Sequence, residues 1–263
     1  MNIFIVKNIN RFFYNILLEM EINKKPKVAI LFFGLTRSVP DTIDAMKPNF
    51  FQPILDAGME YDVFMHTYII NGEYKNRWSN EDLKEYDNEQ YKLLDPKYFI
   101  TDIQEDILSE IHLDDYFTKL ESWTGFNGEL TCYLIKNMIL ALKSKKRITE
   151  VLEEHIEEYD YVIITRPDLK FTDPIPFTEI VSQLTEHNIA IPSQEWWAGC
   201  NDKVCICKPN IGLYVGKLSD HLLEYSTHKS IVSERYFKDM LEALEIEIIP
   251  CELHFDTIRA RNN

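Results

Sequence analysis

Four stretches of this chain gather residue types that can do polar chemistry. The run YDYVIITRPDLKF, Tyr159 to Phe171, reads as an apolar strand that stops at Arg166-Pro167-Asp168. Proline fixes the backbone there, Asp168 can ligate a divalent cation or accept from a sugar hydroxyl, and Arg166 or Lys170 can offset phosphate charge. The alternative is a surface turn held by an Arg–Asp pair. In SQEWWAGCND, residues 193–202, Trp197 can stack on a sugar or base face, a glycine permits close backbone approach, and Asp202 can bind hydroxyls or act as a general base. Gly34 and Arg37, after the first apolar run, suit a backbone approach to a ligand and a guanidinium–diphosphate pair. His66 stands near the end of the second apolar run, as a ligand contact or as a hydrogen-bonded packing histidine.

The elements that must position these residues alternate in type. Apolar runs at 25–34, 61–68, 97–101, 159–165, 188–192, 203–209 and 245–250 predict strands. Helical spacing predicts helices over 41–57 (in two pieces, because of Pro48 and Pro53), 81–94, 130–155, 210–225 and 233–244. Strands alternating with helices point to an α/β domain with a largely parallel central sheet. In such sheets ligands gather beyond the carboxyl ends of the strands, where Gly34, Arg37, His66, Arg166 and Asp168 all fall. No repeat or linker divides the chain. Residues 1–25 carry Ile5, Ile9, Phe12, Phe13, Ile16 and Leu17 at helical spacing, which predicts an amphipathic helical extension, docked on the domain or lying on a membrane surface.

Bulk charge narrows the partners. Forty-three acidic against 28 basic residues give a net charge of -15, and the one short basic run, Lys143 to Arg147, reads as a solvated helix face. That excludes a protein that depends on neutralising a nucleic-acid backbone. The phosphate loop G-x-x-x-x-G-K-[ST] and the fingerprint G-x-G-x-x-G are both missing, which argues against nucleoside triphosphatases and dinucleotide enzymes. The five cysteines, Cys132, Cys200, Cys205, Cys207 and Cys251, form no C-x-x-C pair and read as free thiols in a reducing, cytoplasmic setting.

The order of these pieces resembles the GT-A-type glycosyltransferases. A strand ends in Gly-x-x-Arg; then come Asp62-x-Phe64-x-His66-Thr67, a long helix running into the RPDLKF strand, NDKVCICKP, and Ser233-Glu234. More narrowly the chain is similar to small nucleotide-sugar transferases of large DNA viruses and bacterial polysaccharide clusters. The resemblance, over residues 27–259, implies a single α/β/α sandwich over 26–263 and a nucleoside-diphosphate-sugar donor. The implied acceptor is a hydroxyl of a glycan or glycoprotein, and a viral member would work in the host cytoplasm. It implies Gly34 and Arg37 beside the nucleotide, Asp168 at the metal-binding acidic motif, Asp202 facing donor sugar or acceptor, and Glu234 near the reacting centre. Many members carry Asp-x-Asp where this chain has Asp168-x-Lys170. Either His254 supplies a second ligand to Mn²⁺ or Mg²⁺, or Lys170 and Arg166 stabilise the departing diphosphate without a metal. Nucleotidyl transfer and a carbohydrate-binding protein without chemistry are the rival readings. The first usually brings a glycine-rich, lysine-containing loop that FFGLTRS lacks.

Overall fold

The computed structural model describes residues 25–116 and 128–260. The helix expected over 1–25 therefore lies, but for Lys25, outside the described residues.

Eleven strands are seen among them: β1 (Lys27–Phe33), β2 (Glu60–Ile69), β3 (Tyr74–Asn76), β4 (Glu81–Leu83), β5 (Tyr98–Ile103), β6 (Tyr161–Thr165), β7 (Leu169–Phe171), β8 (Asn188–Pro192), β9 (Val204–Cys207), β10 (Glu247–Cys251) and β11 (Phe255–Thr257). The α-helices are α1 (Val39–Met46), α2 (Gln52–Asp56), α3 (Gln104–Ser109), α4 (Gly128–Glu153), α5 (Phe177–Gln183), α6 (Pro209–Gly216), α7 (Leu222–His228) and α8 (Ser233–Ala243). Seven strands form one sheet in the order β10-β8-β9-β6-β1-β2-β5. It is the expected mostly parallel sheet, with β9 alone antiparallel to both neighbours.

Both faces of the sheet are covered, which explains why its strands read as continuous apolar runs and not as alternating ones. On one side Val28, Ile30 and Phe32 of β1 pack with Ile43 and Met46 of α1, Ile54 of α2 and Ile180 of α5. On the other, Ala29, Leu31 and Phe33 pack with Ile135, Ile139 and Leu152 of α4, Val215 of α6 and Phe237 of α8. The result is an α/β/α sandwich whose central strands are buried from end to end.

Three local expectations are refined. The helix over 41–57 does come in pieces, with a π-helical turn, Lys47–Phe51, between α1 and α2. The helix expected over 81–94 is instead β4 followed by a 3₁₀ turn, Gln90–Leu94. Tertiary bonds hold that stretch open: the Asn88 amide pairs with both backbone groups of Ile70, at 2.9 and 3.1 Å, and Glu81 is drawn to Arg37. The helix expected over 210–225 breaks after Gly216. A Cβ there would fall 1.9 Å from Thr149 Oγ1 of α4, so the chain needs glycine where the two helices meet.

Candidate active site

A pocket of about 500 Å³ opens at the carboxyl ends of β1 and β6, on the α4 and α8 side of the sheet. Gly34, Arg37, Arg166, Asp168, Trp197, Asp202 and Glu234 all line it. Local chemistry explains how they converge. Gly34 takes φ +97°, which lets the chain turn off β1 and aims its N–H at Ser144 Oγ of α4, 2.8 Å away. Pro167 ends β6, and its carbonyl accepts from Thr42 Oγ1 at 2.9 Å, which anchors the strand tip to α1. Asn201 organises the loop after β8. Its Oδ1 accepts from the N–H groups of Lys203 and Val204, and its amide donates to the Gln194 carbonyl. Gly199 seats that loop on the first turn of α8, where Cys200 N–H donates to the Glu234 carbonyl at 3.2 Å. A Cβ on Gly199 would lie 2.0 Å from that carbonyl oxygen, so only glycine brings Asp202 and Glu234 to the same pocket.

One wall of the pocket is a charge network. Asp168, 1% exposed, accepts from Arg166 Nε at 2.9 Å and again from Arg166 Nη2, and from Arg259 Nη1 at 3.2 Å. Arg37 forms a fork on Glu81 at 2.6 and 2.9 Å, lies over the Tyr74 ring, and Glu81 also accepts from Ser79 and from Ala260 N–H. Burial by itself would push the Asp168 carboxyl up; Arg166, Arg37 and Arg259 together hold it below the usual carboxylate range. Three guanidiniums against two carboxylates leave a surplus of one positive charge on this wall.

Two carboxylates, Asp202 and Glu234, line the same pocket. Glu234 is half-buried in the first turn of α8, with Ser233 Oγ donating to its Oε2 at 3.1 Å. Burial first, and the neighbouring Asp202 carboxylate second, push its pKa above the ordinary glutamate range. Trp197, 81% exposed, stands at the rim as an apolar face open to a ligand.

The residues expected to hold a divalent cation do not come together. Asp168 has its oxygens occupied by arginines. β11 runs antiparallel to β7, and His254 faces Thr172, whose N–H donates to the His254 carbonyl. That is four residues along the ribbon from Asp168, about 13 Å at a strand's rise per residue. The His254 ring lies half-exposed, 3.5 Å from Glu252. Among the described residues no group of three or more His, Cys, Asp or Glu is placed to hold a metal. The donor set thus does not fit Mn²⁺ or Mg²⁺.

Lys170 and His66 also fall outside the pocket. Lys170 alternates with buried Leu169 and Phe171 and so points to solvent, beside Asp256 across the ribbon. Lys170→Ala is therefore expected to leave activity and melting temperature close to wild type, measured side by side. His66 is fully buried beneath the site. Burial lowers its pKa; its Nδ1 pairs with Ser144 Oγ at 2.7 Å while Nε2 faces Asp102 at 3.3 Å. Asp102 is held in turn by Arg147 at 2.8 and 3.2 Å. His66 is a strut under Gly34, not a ligand contact.

Arg259 and Lys145 line the pocket without belonging to any of the motifs that the sequence singles out. Arg259 meets Asp168 across 91 residues, a pairing no local pattern announces. Lys145 belongs to the basic run 143–147, which reads as a solvated helix face, yet it is buried and lines the pocket. Its position, three residues after Leu142 and three before Ile148, lies on the apolar stripe of α4, and that spacing was the available signal.

With this geometry in place, no family model and no curated protein matches the chain. Solved structures do. Mouse xyloside xylosyltransferase 1, in its apo form, is similar at 13% identity and a TM-score of 0.41, over 86% of this chain and 85% of that one. The glycosyltransferase GlyE of Streptococcus pneumoniae TIGR4, apo form, is similar at 12% identity and 0.41, over 86% of this chain but 45% of GlyE. A nucleotidyl transfer enzyme from Methanothermobacter is similar at 10% identity and 0.38, over 88% of each chain. Likeness of this degree carries no argument about activity or fold, and what the pocket does is read from its own side chains. Among the described residues no helix is long and apolar enough to cross a membrane.

Proposed function

We propose that this protein is a glycosyltransferase that moves a sugar from a nucleoside-diphosphate sugar to a hydroxyl of a glycan or glycoprotein. One observation carries the reading: a single pocket gathers three guanidiniums, Arg37, Arg166 and Arg259, together with a neighbouring pair of carboxylates, Asp202 and Glu234. A nucleotide sugar has matching polarity, with an anionic diphosphate at one end and a neutral, hydroxyl-rich sugar at the other. The exposed Trp197 face at the rim suits a sugar ring.

In the proposed reaction the acceptor oxygen forms a bond to the anomeric carbon. The bond from that carbon to the diphosphate oxygen breaks, and its electron pair leaves with the diphosphate. Glu234 takes the acceptor proton, because a carboxylate with a raised pKa is the better base near neutral pH. Asp202 accepts hydrogen bonds from sugar hydroxyls. The guanidinium wall orients the diphosphate and meets its charge, with Glu81 and Asp168 holding the arginines in place before the ligand arrives.

The test is a panel of nucleoside-diphosphate sugars offered to the full chain with no acceptor. A transferase of this kind slowly hydrolyses its own donor, so one donor class is expected to release nucleoside diphosphate and to raise the melting temperature. No release and no thermal shift across the panel would overturn the reading.

A further inference from the structure

Lys145 is the least expected charge in the molecule. It projects from α4 into the protein and is 4% exposed. Its Nζ lies 4.6 Å from the Phe33 ring centroid and 5.5 Å from that of Phe237, and donates one hydrogen bond, to the Asp202 carbonyl at 3.1 Å. An ammonium has three donors. Among the described residues no carboxylate is within ion-pair distance of this one, and two of its N–H bonds find no acceptor.

Such an arrangement is costly for a folded protein. Buried lysines ordinarily run their stems along apolar surface and return the charge to water. Here the head turns inward, and two ring faces and one carbonyl replace its hydration only in part. Burial accordingly draws the lysine's pKa down, against the pull of Asp202. A methionine would fill the same space without that penalty. Lys145 lines the same pocket as Arg166.

We infer that Lys145 is a built-in counter-cation for the diphosphate of the ligand, taking the place that a divalent metal would otherwise fill. This rests on the transferase reading for the identity of the ligand, but its binding claim is separate. Asp168 cannot recruit a metal while Arg166 and Arg259 occupy its oxygens, and His254 is too far along the ribbon to join it. Lys145 needs no recruitment. As the bond from sugar to diphosphate breaks, it donates hydrogen bonds to the departing oxygens and keeps its own proton. Its bond to the Asp202 carbonyl ties the same event to the loop that carries the Asp202 carboxylate.

The experiment is calorimetric titration of inorganic pyrophosphate, and separately of nucleoside diphosphates, into the full chain in EDTA and in Mn²⁺. Wild type is expected to bind both ligands in EDTA. Lys145→Met is expected to weaken both by about a hundredfold, the scale of one charge-assisted hydrogen bond lost from a buried site. Its melting temperature should equal or exceed that of wild type. Lys145→Gln keeps a donor for the Asp202 carbonyl without the charge, and covers a methionine variant that misfolds; the same loss is expected. Binding that requires Mn²⁺, or that is unchanged in either folded variant, overturns the inference, as does failure of wild type to bind pyrophosphate at all. Lys145-dependent pyrophosphate binding in a protein that transfers no sugar would keep this inference and discard the transferase reading. Sugar transfer with unaltered pyrophosphate affinity in the variants would do the reverse.

Discussion

Asp168→Ala is expected to cost about 3–5 kcal/mol of stability, in addition to any loss of activity. The carboxylate is 1% exposed and sits between Arg166 and Arg259, with Arg37 close enough to add its field. Removing it leaves guanidiniums packed together with nothing between them. Breaking a buried pair from one side is far more damaging than never having built it. The loss also loosens the C-terminal stretch. Arg259 would lose its partner, while the remaining ties there are Ile258 N–H to the Asp168 carbonyl, Ser38 Oγ to the Ile258 carbonyl and Ala260 N–H to Glu81. The effect has a pH signature. The folded-state pKa of Asp168 lies below its unfolded value, so its contribution is complete above the unfolded carboxylate range, about 3.9, and fades as pH falls through the folded value. The gap in melting temperature between wild type and Asp168→Ala should therefore narrow in acid. Wild-type stability together with abolished ligand binding would instead make Asp168 a ligand-facing group, as the strand-tip motif alone suggests.

That contrast shows which part of the site is legible in the sequence. The strand tips are legible because β1, β6 and β8 are buried on both faces and their apolar runs end abruptly at polar residues or glycine. Parallel topology then places those tips together, and Gly34, Arg37, Arg166, Asp168, Asp202 and Glu234 do share one pocket. Their partners were not legible. Arg37 meets Glu81 across 44 residues and Asp168 meets Arg259 across 91, and ion pairs over such distances leave no periodic trace. A motif therefore read as a metal tip turned out to be the keystone of an arginine cluster. Lys170 misled for a simpler reason: it is next to the site in sequence, but strand alternation turns it to the other side. Lys145 was the opposite case. Its charge pointed to solvent, its helical position pointed to the core, and the helical position prevailed.

The pair Asp202 and Glu234 carries the second large expectation. Glu234→Gln should lower the transfer rate constant by about 10²–10⁴, the usual contribution of a positioned general base. The same change should stabilise the protein at neutral pH. Burial and Asp202 raise the folded-state pKa of Glu234 above its unfolded value. Once pH exceeds both values, the ionised glutamate disfavours the folded state. Glutamine removes that penalty, and its advantage disappears as pH drops below the unfolded value, where both states carry a protonated group. Activity follows the same group from the other side. Transfer needs Glu234 ionised, so the acid limb of the rate–pH profile should lie above the ordinary glutamate range. Asp202→Asn deletes the negative charge that helps raise it, and should move that limb to lower pH even as sugar binding weakens. A purely structural role for Asp202 would alter the height of the profile and leave its limb where it was. An acid limb that stays fixed in Asp202→Asn, or a Glu234→Gln protein that melts lower at pH 7, would remove Glu234 from the role of base. The two carboxylates would then serve binding alone.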